Sequence, residues 1–396
     1  MSTTAEVVAT PRLVTPRFLA LAVAELAYFT ADGVAILALP LHVTGPLGSS
    51  ARGAGLAFGA FAVTALALRP LAGRLADARG RMPLMTGGAA LAAVAYAGTA
   101  YAGSLETVIA LRLVLGIAEA AFFVAAMAAL VDLTPPGRLG EALSYNSLGL
   151  YVGLAVGPPL AELLISVGGF RSAWLGAAVL NVAAVLLVRL VGETRPRHVR
   201  HARSALVHVP ALGPAVGFLV SIAAMGAFLA FVTLHARDVG MAATSLPMVV
   251  YGGTVVVGRL LCGRFMDRVA PLVLGSAALA MIGLGLLVLA LASTPLEVLA
   301  GSVLTATGVV GSTPAFFSAI FATAGPDERG AASATASMAL DLGLAGGPVG
   351  AGLVAERQGI PGAFAAAAGL ACVGAAWTLA LARRRSRRFD DRGWRG

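Results

Sequence analysis

Lysine is absent: all 28 basic residues of this 396-residue chain are arginine. Lysine-dependent chemistry is thereby excluded, and the excess of alanine and glycine fits a GC-rich bacterial genome. Cysteine is nearly absent too. Cys262 and Cys372 both fall inside apolar runs and point to neither a disulfide framework nor a metal. Charge is scarce at 12% of residues, whereas 58% are hydrophobic and the mean hydropathy is +0.88. No single soluble core of this length hides that much apolar surface. A bilayer does, at ~20 apolar residues per span. Long polar stretches are also missing, which leaves no sizeable soluble output domain such as a membrane sensor carries. No His/Asp/Ser or metal-ligand constellation gathers at an interface, so an enzyme is not expected.

What is present is apolar helix, repeated. Spans are predicted near 18–41, 53–72, 83–102, 105–131, 139–165, 172–190, 210–234, 245–266, 271–292, 295–324, 331–355 and 361–382. The net charge of +9 does not signal nucleic acid, because the loop arginines alternate. With the N-terminus inside, only Arg52, Arg171, Arg237 and Arg357 fall outside, and the remaining loop arginines are cytoplasmic. Both termini are therefore expected in the cytoplasm of a bacterial inner-membrane protein. The tail Arg383–Arg388 is expected to anchor on anionic lipid. The polar stretch Gly192–Val209 reads as a boundary. Its His198, His201 and His208 are interleaved with arginines and lack acids or cysteines, which favours a solvated basic linker over a metal tract.

The two sides of that boundary are copies. An offset of 190 residues aligns Arg69–Asp77 with Arg259–Asp267, Gly140 with Gly330, Gly157-Pro158 with Gly347-Pro348, and Gly169–Trp174 with Gly359–Phe364. A register held without gaps over about a hundred residues is an internal duplication inside a membrane.

Several runs carry a resemblance. Gly73-Arg-Leu-Ala-Asp77-Ala-Arg79-Gly80-Arg81-Met-Pro83 is similar to the signature loop between spans two and three of the major facilitator superfamily. The second copy keeps Gly263, Asp267 and Arg268. Arg112 followed by Gly116 resembles that family's fourth-span pattern. The run containing Gly149, Gly153, Gly157, Pro158 and Ala161 resembles its fifth-span antiporter motif. The resemblance covers essentially the whole chain. It implies an all-α membrane protein of 12 transmembrane helices: an N-terminal six-helix bundle (1–195), a cytoplasmic basic linker (196–209), a C-terminal six-helix bundle (210–382) and a basic cytoplasmic tail (383–396). It also implies a central cavity and alternating access. In that fold Asp77 would face the start of span eleven near Arg329–Ala332. There it would accept backbone N–H groups and oppose the helix dipole, making Gly73, Asp77, Gly80, Arg81, Gly263, Asp267 and Arg268 a conformational latch. The residues alone say that Gly73 lets a helix approach. Small residues every fourth position in span five share one face and pack closely, while Pro158 bends the span; Gly347 and Pro348 repeat this.

Charges buried in lipid are expensive, so they are the functional candidates. They are Glu25, Asp32, Arg112, Glu119 and Asp341, with Glu162 nearer the outer surface. Glu25 and Asp32 are seven residues apart, as are Arg112 and Glu119, so each pair shares a helix face ~10 Å apart along the axis. Span one runs outward and span four inward, which matches Asp32 in depth with Arg112, and Glu25 with Glu119. Asp32 and Arg112 are expected to form a separable ion pair, with Glu25 and Glu119 as acids in a low-dielectric cleft able to carry a proton. Two acids on span one and an arginine on span four also resemble the family's proton-coupled drug exporters. Asp341 is a lone acid suited to a substrate contact or to a backbone hydrogen bond. Tyr28, Tyr145, Asn146, Tyr151, Phe228, Phe231, Phe316 and Phe317 are candidate cavity-lining residues.

The expected function is proton-coupled export of a small lipophilic or amphipathic molecule by a monomer, with no cofactor beyond the proton gradient and no nucleic-acid partner. Proton-coupled uptake of a small polar metabolite is the alternative within transport; Gly192-Glu-Thr-Arg195 is only a partial echo of a sugar-transporter motif. A non-transporting sensor or a membrane enzyme is the alternative of another class.

Overall fold

The computed structural model describes residues 13–135, 138–195, 207–266, 268–325 and 328–393; at 139–140, 143–148, 262–266 and 385–393 it describes the backbone alone. The described residues form helices α1 (Pro16–Thr44), α2 (Ala51–Arg79), α3 (Arg81–Thr99), α4 (Leu105–Leu133), α5 (Leu139–Val191), α6 (Leu212–Asp238), α7 (Leu246–Met266), α8 (Pro271–Leu291), α9 (Pro295–Phe321) and α10 (Arg329–Gly393), with a 3-10 turn at Val209–Ala211. Eight helical stretches among them are long and apolar enough to cross a membrane.

Polar caps set the starts. Thr15 accepts the Phe18 N–H at 3.2 Å, and Pro16, with no N–H to leave unpaired, takes the first turn of α1. Ser50 and Ser104 cap α2 and α4 alike, and Thr294 with Glu297 forms a capping box on α9. α2 runs past the predicted end at 72 to Arg79. Arg74 and Asp77 end the apolar run but not the helix, since Leu71, Ala72, Leu75 and Ala76 keep its periodicity until Gly80, at φ 109°, turns the chain. Arg69 is thereby placed well inside the helix.

Two helices are folded back on themselves. A straight 53-residue helix would span ~80 Å, far beyond a ~30 Å hydrocarbon core. α5 reverses at Gly168–Gly169: Ser172 Oγ donates to Leu164 O, and a Cβ on Gly176 would lie 2.5 Å from Leu164 Cδ1. α10 reverses at Gly359, so that Gly347 in one arm packs on Ala223 of α6 and Gly374 in the other on Val220. Gly169 (φ 68°) and Gly359 (φ 73°) are related by the 190-residue offset, and both occupy the left-handed region open to glycine. The predicted spans 139–165 and 172–190 are the arms of α5, and 331–355 and 361–382 those of α10.

The duplication extends to the packing. A Cβ on Gly157 of α5 would lie 2.5 Å from Gly33 Cα of α1, and one on Gly347 would lie 2.2 Å from Ala223 O of α6. Both sides of this contact obey the same offset. The N-terminal half (α1–α5) and the C-terminal half (α6–α10) are thus built alike, each with its first helix pressed against its small-residue helix.

Candidate functional site

The halves meet mainly along two seams, α2 against α10 and α5 against α7, and α1 also touches α6. Gly55 lies on Pro348 and Gly352, and Gly59 on Ala345; across the other seam Gly252 lies on Ala155. At one end Arg52 and Glu356 form an exposed ion pair at 3.8 Å, worth ~0–1 kcal/mol. At the same end Glu162 accepts the Thr244 N–H at 2.7 Å and the Ser245 hydroxyl, holding the start of α7 to α5. Towards this end α1 and α6 are almost wholly buried; towards the Gly80 end Leu19, Val23 and Val216 become exposed.

Two arginines also cross between the halves. Arg69 Nη2 donates to Asp341 Oδ1 at 2.8 Å. Its Nε lies 2.6 Å from Oδ2 without the alignment of a hydrogen bond, so charge attraction holds that contact. The guanidinium also faces the Phe123 ring at 5.1 Å. Arg259 of α7 donates to the Tyr151 hydroxyl of α5 at 2.9 Å and lies 4.3 Å from that ring's centre. The 190-residue offset maps Arg69 onto Arg259 and Tyr151 onto Asp341, so these two contacts are images of one another.

Around Arg69 lies a cluster of ionisable groups. The charged neighbours of Glu119 are Asp32, Arg69 and Asp341, and the Tyr28 hydroxyl is its hydrogen-bonding partner. Glu25 is close enough to feel the Glu119 charge, matching the depth expected from the sequence. Glu25 and Asp341 are buried, at 1% and 2% exposure, whereas Asp32 and Glu119 are half-buried.

The expected Asp32–Arg112 ion pair is not formed. Tyr96 donates to Asp32 at 2.6 Å, while Arg112 gives Nε and Nη2 to the carbonyls of Ala57 and Phe58 at 3.2 and 3.3 Å and stacks 4.7 Å over Phe61. Two backbone carbonyls on α2 are within hydrogen-bond reach of the guanidinium, and a buried guanidinium takes the acceptors within reach. Asp341 is not a lone acid either. Its partner Arg69 was legible only as a repeated residue, because its depth depends on how far α2 continues.

The expected cavity aromatics divide. Tyr28 is buried and stacked on Phe122 at 4.0 Å; Phe228 and Phe231 are fully buried, Phe228 against Tyr251 at 4.8 Å; Phe316 is buried beside Phe218. Phe317 is partly buried against the same Phe218. These apolar rings fill gaps between helices rather than line open space. Tyr151 meets Arg259. The side chains of Tyr145 and Asn146 lie outside the described residues. An apolar groove of about 730 Å³ between α7, α8 and α9, bounded by Val250, Val257, Met281 and Val310, includes none of the candidate residues.

The loop after α2 departs from expectation. Among the described residues Asp77 takes no hydrogen bond from α10; it accepts Arg81 Nη1 at 2.6 Å, and Arg81 also reaches Asp132 Oδ2 at 3.2 Å and Ala76 O at 2.8 Å. A Cβ on Gly73 would meet, among the described residues, nothing closer than Val124 Cγ1 at 3.9 Å, so no described helix presses on it. Gly263 and Asp267 lie outside the residues whose side chains are described, and Arg268 is exposed in a turn. The residue sequence reading undervalued is Glu193, which accepts the N–H groups of Arg81 at 2.9 Å and Met82 at 3.3 Å and so caps α3 from a distant part of the chain. Burial acts to raise its carboxyl, but four backbone N–H donors outweigh that and hold it below the ordinary range. His208, expected in a solvated linker, is buried: its N–H meets Thr335 Oγ1 at 2.9 Å and its Nε2 meets Thr323 O at 3.0 Å.

Among the described residues, no group of three His, Cys, Asp or Glu is placed to hold a metal. The family profile described as Major Facilitator Superfamily matches residues 21–348 and 216–395. An uncharacterized MFS-type transporter of Burkholderia mallei (strain SAVP1) is 32% identical over 90% of this chain and 89% of its own length. The MFS-type transporter YhhS of Escherichia coli (strain K12) is 26% identical over 93% of each. Among solved structures, an inward-facing bacterial homologue of the human lysosomal transporter Spinster aligns with a TM-score of 0.76 at 15% identity, covering 93% of this chain and 96% of that one. The human organic anion transporter MFSD10 aligns at 0.71 and 19%, covering 92% and 99%, and a peptide-bound POT family transporter at 0.80 and 10%, covering 93% and 96%.

Proposed function

Since this chain belongs to the major facilitator superfamily, we propose that it works by alternating access in a bacterial inner membrane and couples proton entry to export of a small amphipathic molecule. With the two arms of α5 and of α10 taken as separate passes, this reading has twelve passes and both termini on one side. The arginine bias assigns that side to the cytoplasm. The sealed end carrying Arg52, Glu356 and Thr244 is then the outer end, and this conformer opens inward. Asp77 engaged by Arg81 fits such a state, with its latch made in the outward-facing one.

The observation that carries the proposal is the cluster Asp32, Glu119, Arg69 and Asp341 at the meeting of the halves. Of the acids in it, Asp32 and Glu119 are the half-buried ones, so they exchange protons with water as the halves rock, while Arg69 and Asp341 hold the seam. One proton crossing ~100 mV supplies ~2.3 kcal/mol, enough for roughly a fifty-fold gradient of a neutral solute. Two acids in α1 and the Gly157-Pro158 motif of α5 favour export.

Everted vesicles loaded with a pH-sensitive dye test this. Adding transported compound to energised vesicles should release protons from the lumen, and Glu119→Gln or Asp32→Asn should reduce that flux at least tenfold with unchanged protein level. Unaltered flux in both variants would overturn the coupling scheme. Substrate and protons moving the same way would replace export with uptake.

A further inference from the structure

The arginines of the interior are unequally matched. Arg69 answers Asp341, and Arg112 lies in the field of Asp32 and Glu119. Arg259 has no carboxylate within ion-pair distance among the described residues; a phenol hydroxyl and ring are its partners. Its Nε is buried without a hydrogen-bond partner. So is the hydroxyl of Tyr251, a 3% exposed residue on the same helix whose electrostatic neighbours are Tyr151 and Arg259. A guanidinium at membrane depth without a counter-charge is costly. The unsatisfied groups are donors, and they lie at the seam where the halves part. The duplicated geometry says what is missing: where the α2–α10 seam has a carboxylate, the α5–α7 seam has Tyr151.

We propose that Arg259, Tyr251 and Tyr151 form an anion subsite, and that the transported molecule is an amphipathic organic acid. Its carboxylate or sulfonate displaces the Tyr151 hydroxyl from the guanidinium and takes a further hydrogen bond from Tyr251. A planar guanidinium binds such oxyanions through paired N–H donors, a geometry a phenol cannot match. The bound anion supplies the charge that Asp341 supplies to Arg69 at the image position. This reading names a substrate class and so rests on the transporter assignment.

Binding to the full chain in lipid nanodiscs, with no gradient imposed, separates the two. Carboxyfluorescein and rhodamine 123 share a xanthene body and differ in charge. Carboxyfluorescein should bind saturably. Arg259→Gln should weaken it at least tenfold, Arg259→Lys by less, and Tyr251→Phe a few-fold, with rhodamine 123 unaffected. Tyr151→Asp is the decisive variant, because it builds on one seam the ion pair the other already contains and should fold as well as the parent. It should abolish carboxyfluorescein binding. Preference for rhodamine 123, or carboxyfluorescein binding that is absent or survives Tyr151→Asp, overturns the subsite. A loss of proton coupling in vesicles with these binding results intact would instead overturn the coupling scheme alone.

Discussion

α3 starts at Arg81 with no side-chain cap of its own, because Gly80 has none to offer, and Glu193 fills that place. Replacing Glu193 with Gln keeps the shape and removes the charge that four N–H groups face. Loss of a cap of this kind costs ~0.5–2 kcal/mol. The pH dependence follows from the depressed carboxyl. Its stabilisation is complete above the ordinary carboxylate range and fades as pH falls through the lowered folded-state value. Thermal unfolding of purified protein should therefore separate wild type from Glu193→Gln at pH 7, and the gap should close on acidification. A gap independent of pH would show that the charge is not what the cap contributes. At this scale sequence reading was uneven. The expense of charge in lipid singled out Glu25, Asp32, Arg112, Glu119 and Asp341 without any fold. Their partners were not legible, because Arg69 and Asp341 are 272 residues apart and meet only through packing between halves. Histidine misled: His208, expected in a solvated linker, is buried on Thr335 and Thr323. Nothing local distinguishes a solvated imidazole from one that has found a partner.

Helices were the most legible level. Ser50, Ser104 and Thr294 mark starts by capping chemistry, and apolar length marks the spans. The interruptions at Gly169 and Gly359 were visible as gaps between predicted spans, though not their backbone conformation. The far end of α2 was missed because charge stops an apolar run before it stops a helix. Shape complementarity carries the next prediction. Gly157→Val and Gly347→Val each force a side chain into backbone at 2.5 and 2.2 Å. Overpacking of this kind costs ~1–3 kcal/mol. Both variants should lower the unfolding temperature by similar amounts, since the contacts are images. Gly73→Val, with its nearest neighbour at 3.9 Å, should leave it nearly unchanged. A Gly73 variant as damaged as the others would mean that another conformer presses on that surface.

At the scale of the whole molecule, the repeat made two like halves legible, but not which helices form the seams or which end is closed. Neutralising Asp341 to Asn should loosen the closed end, because Arg69 then loses its counter-charge across the α2–α10 seam. With the native cysteines removed, the pair Arg52→Cys and Glu356→Cys should link readily through a short bis-maleimide. Adding Asp341→Asn should lower the yield several-fold, read as a gel shift. Equal yields would show that the glycine contacts Gly55–Pro348 and Gly59–Ala345 hold that end by themselves.

The packing of Gly157 on Gly33, and of Gly347 on Ala223, bears on how such a molecule can move. Backbones that touch leave no slack for a side chain to swing or a rotamer to hop. α1 is therefore welded to α5, and α6 to α10, as two stiff levers. On the alternating-access reading, displacement falls to the lines between α2 and α10 and between α5 and α7, where glycine contacts close one end and the heads of Arg69 and Arg259 cross deeper in. A change that softened either weld would absorb the stroke inside one lever, and the far end of the molecule would no longer register what happened at the near one.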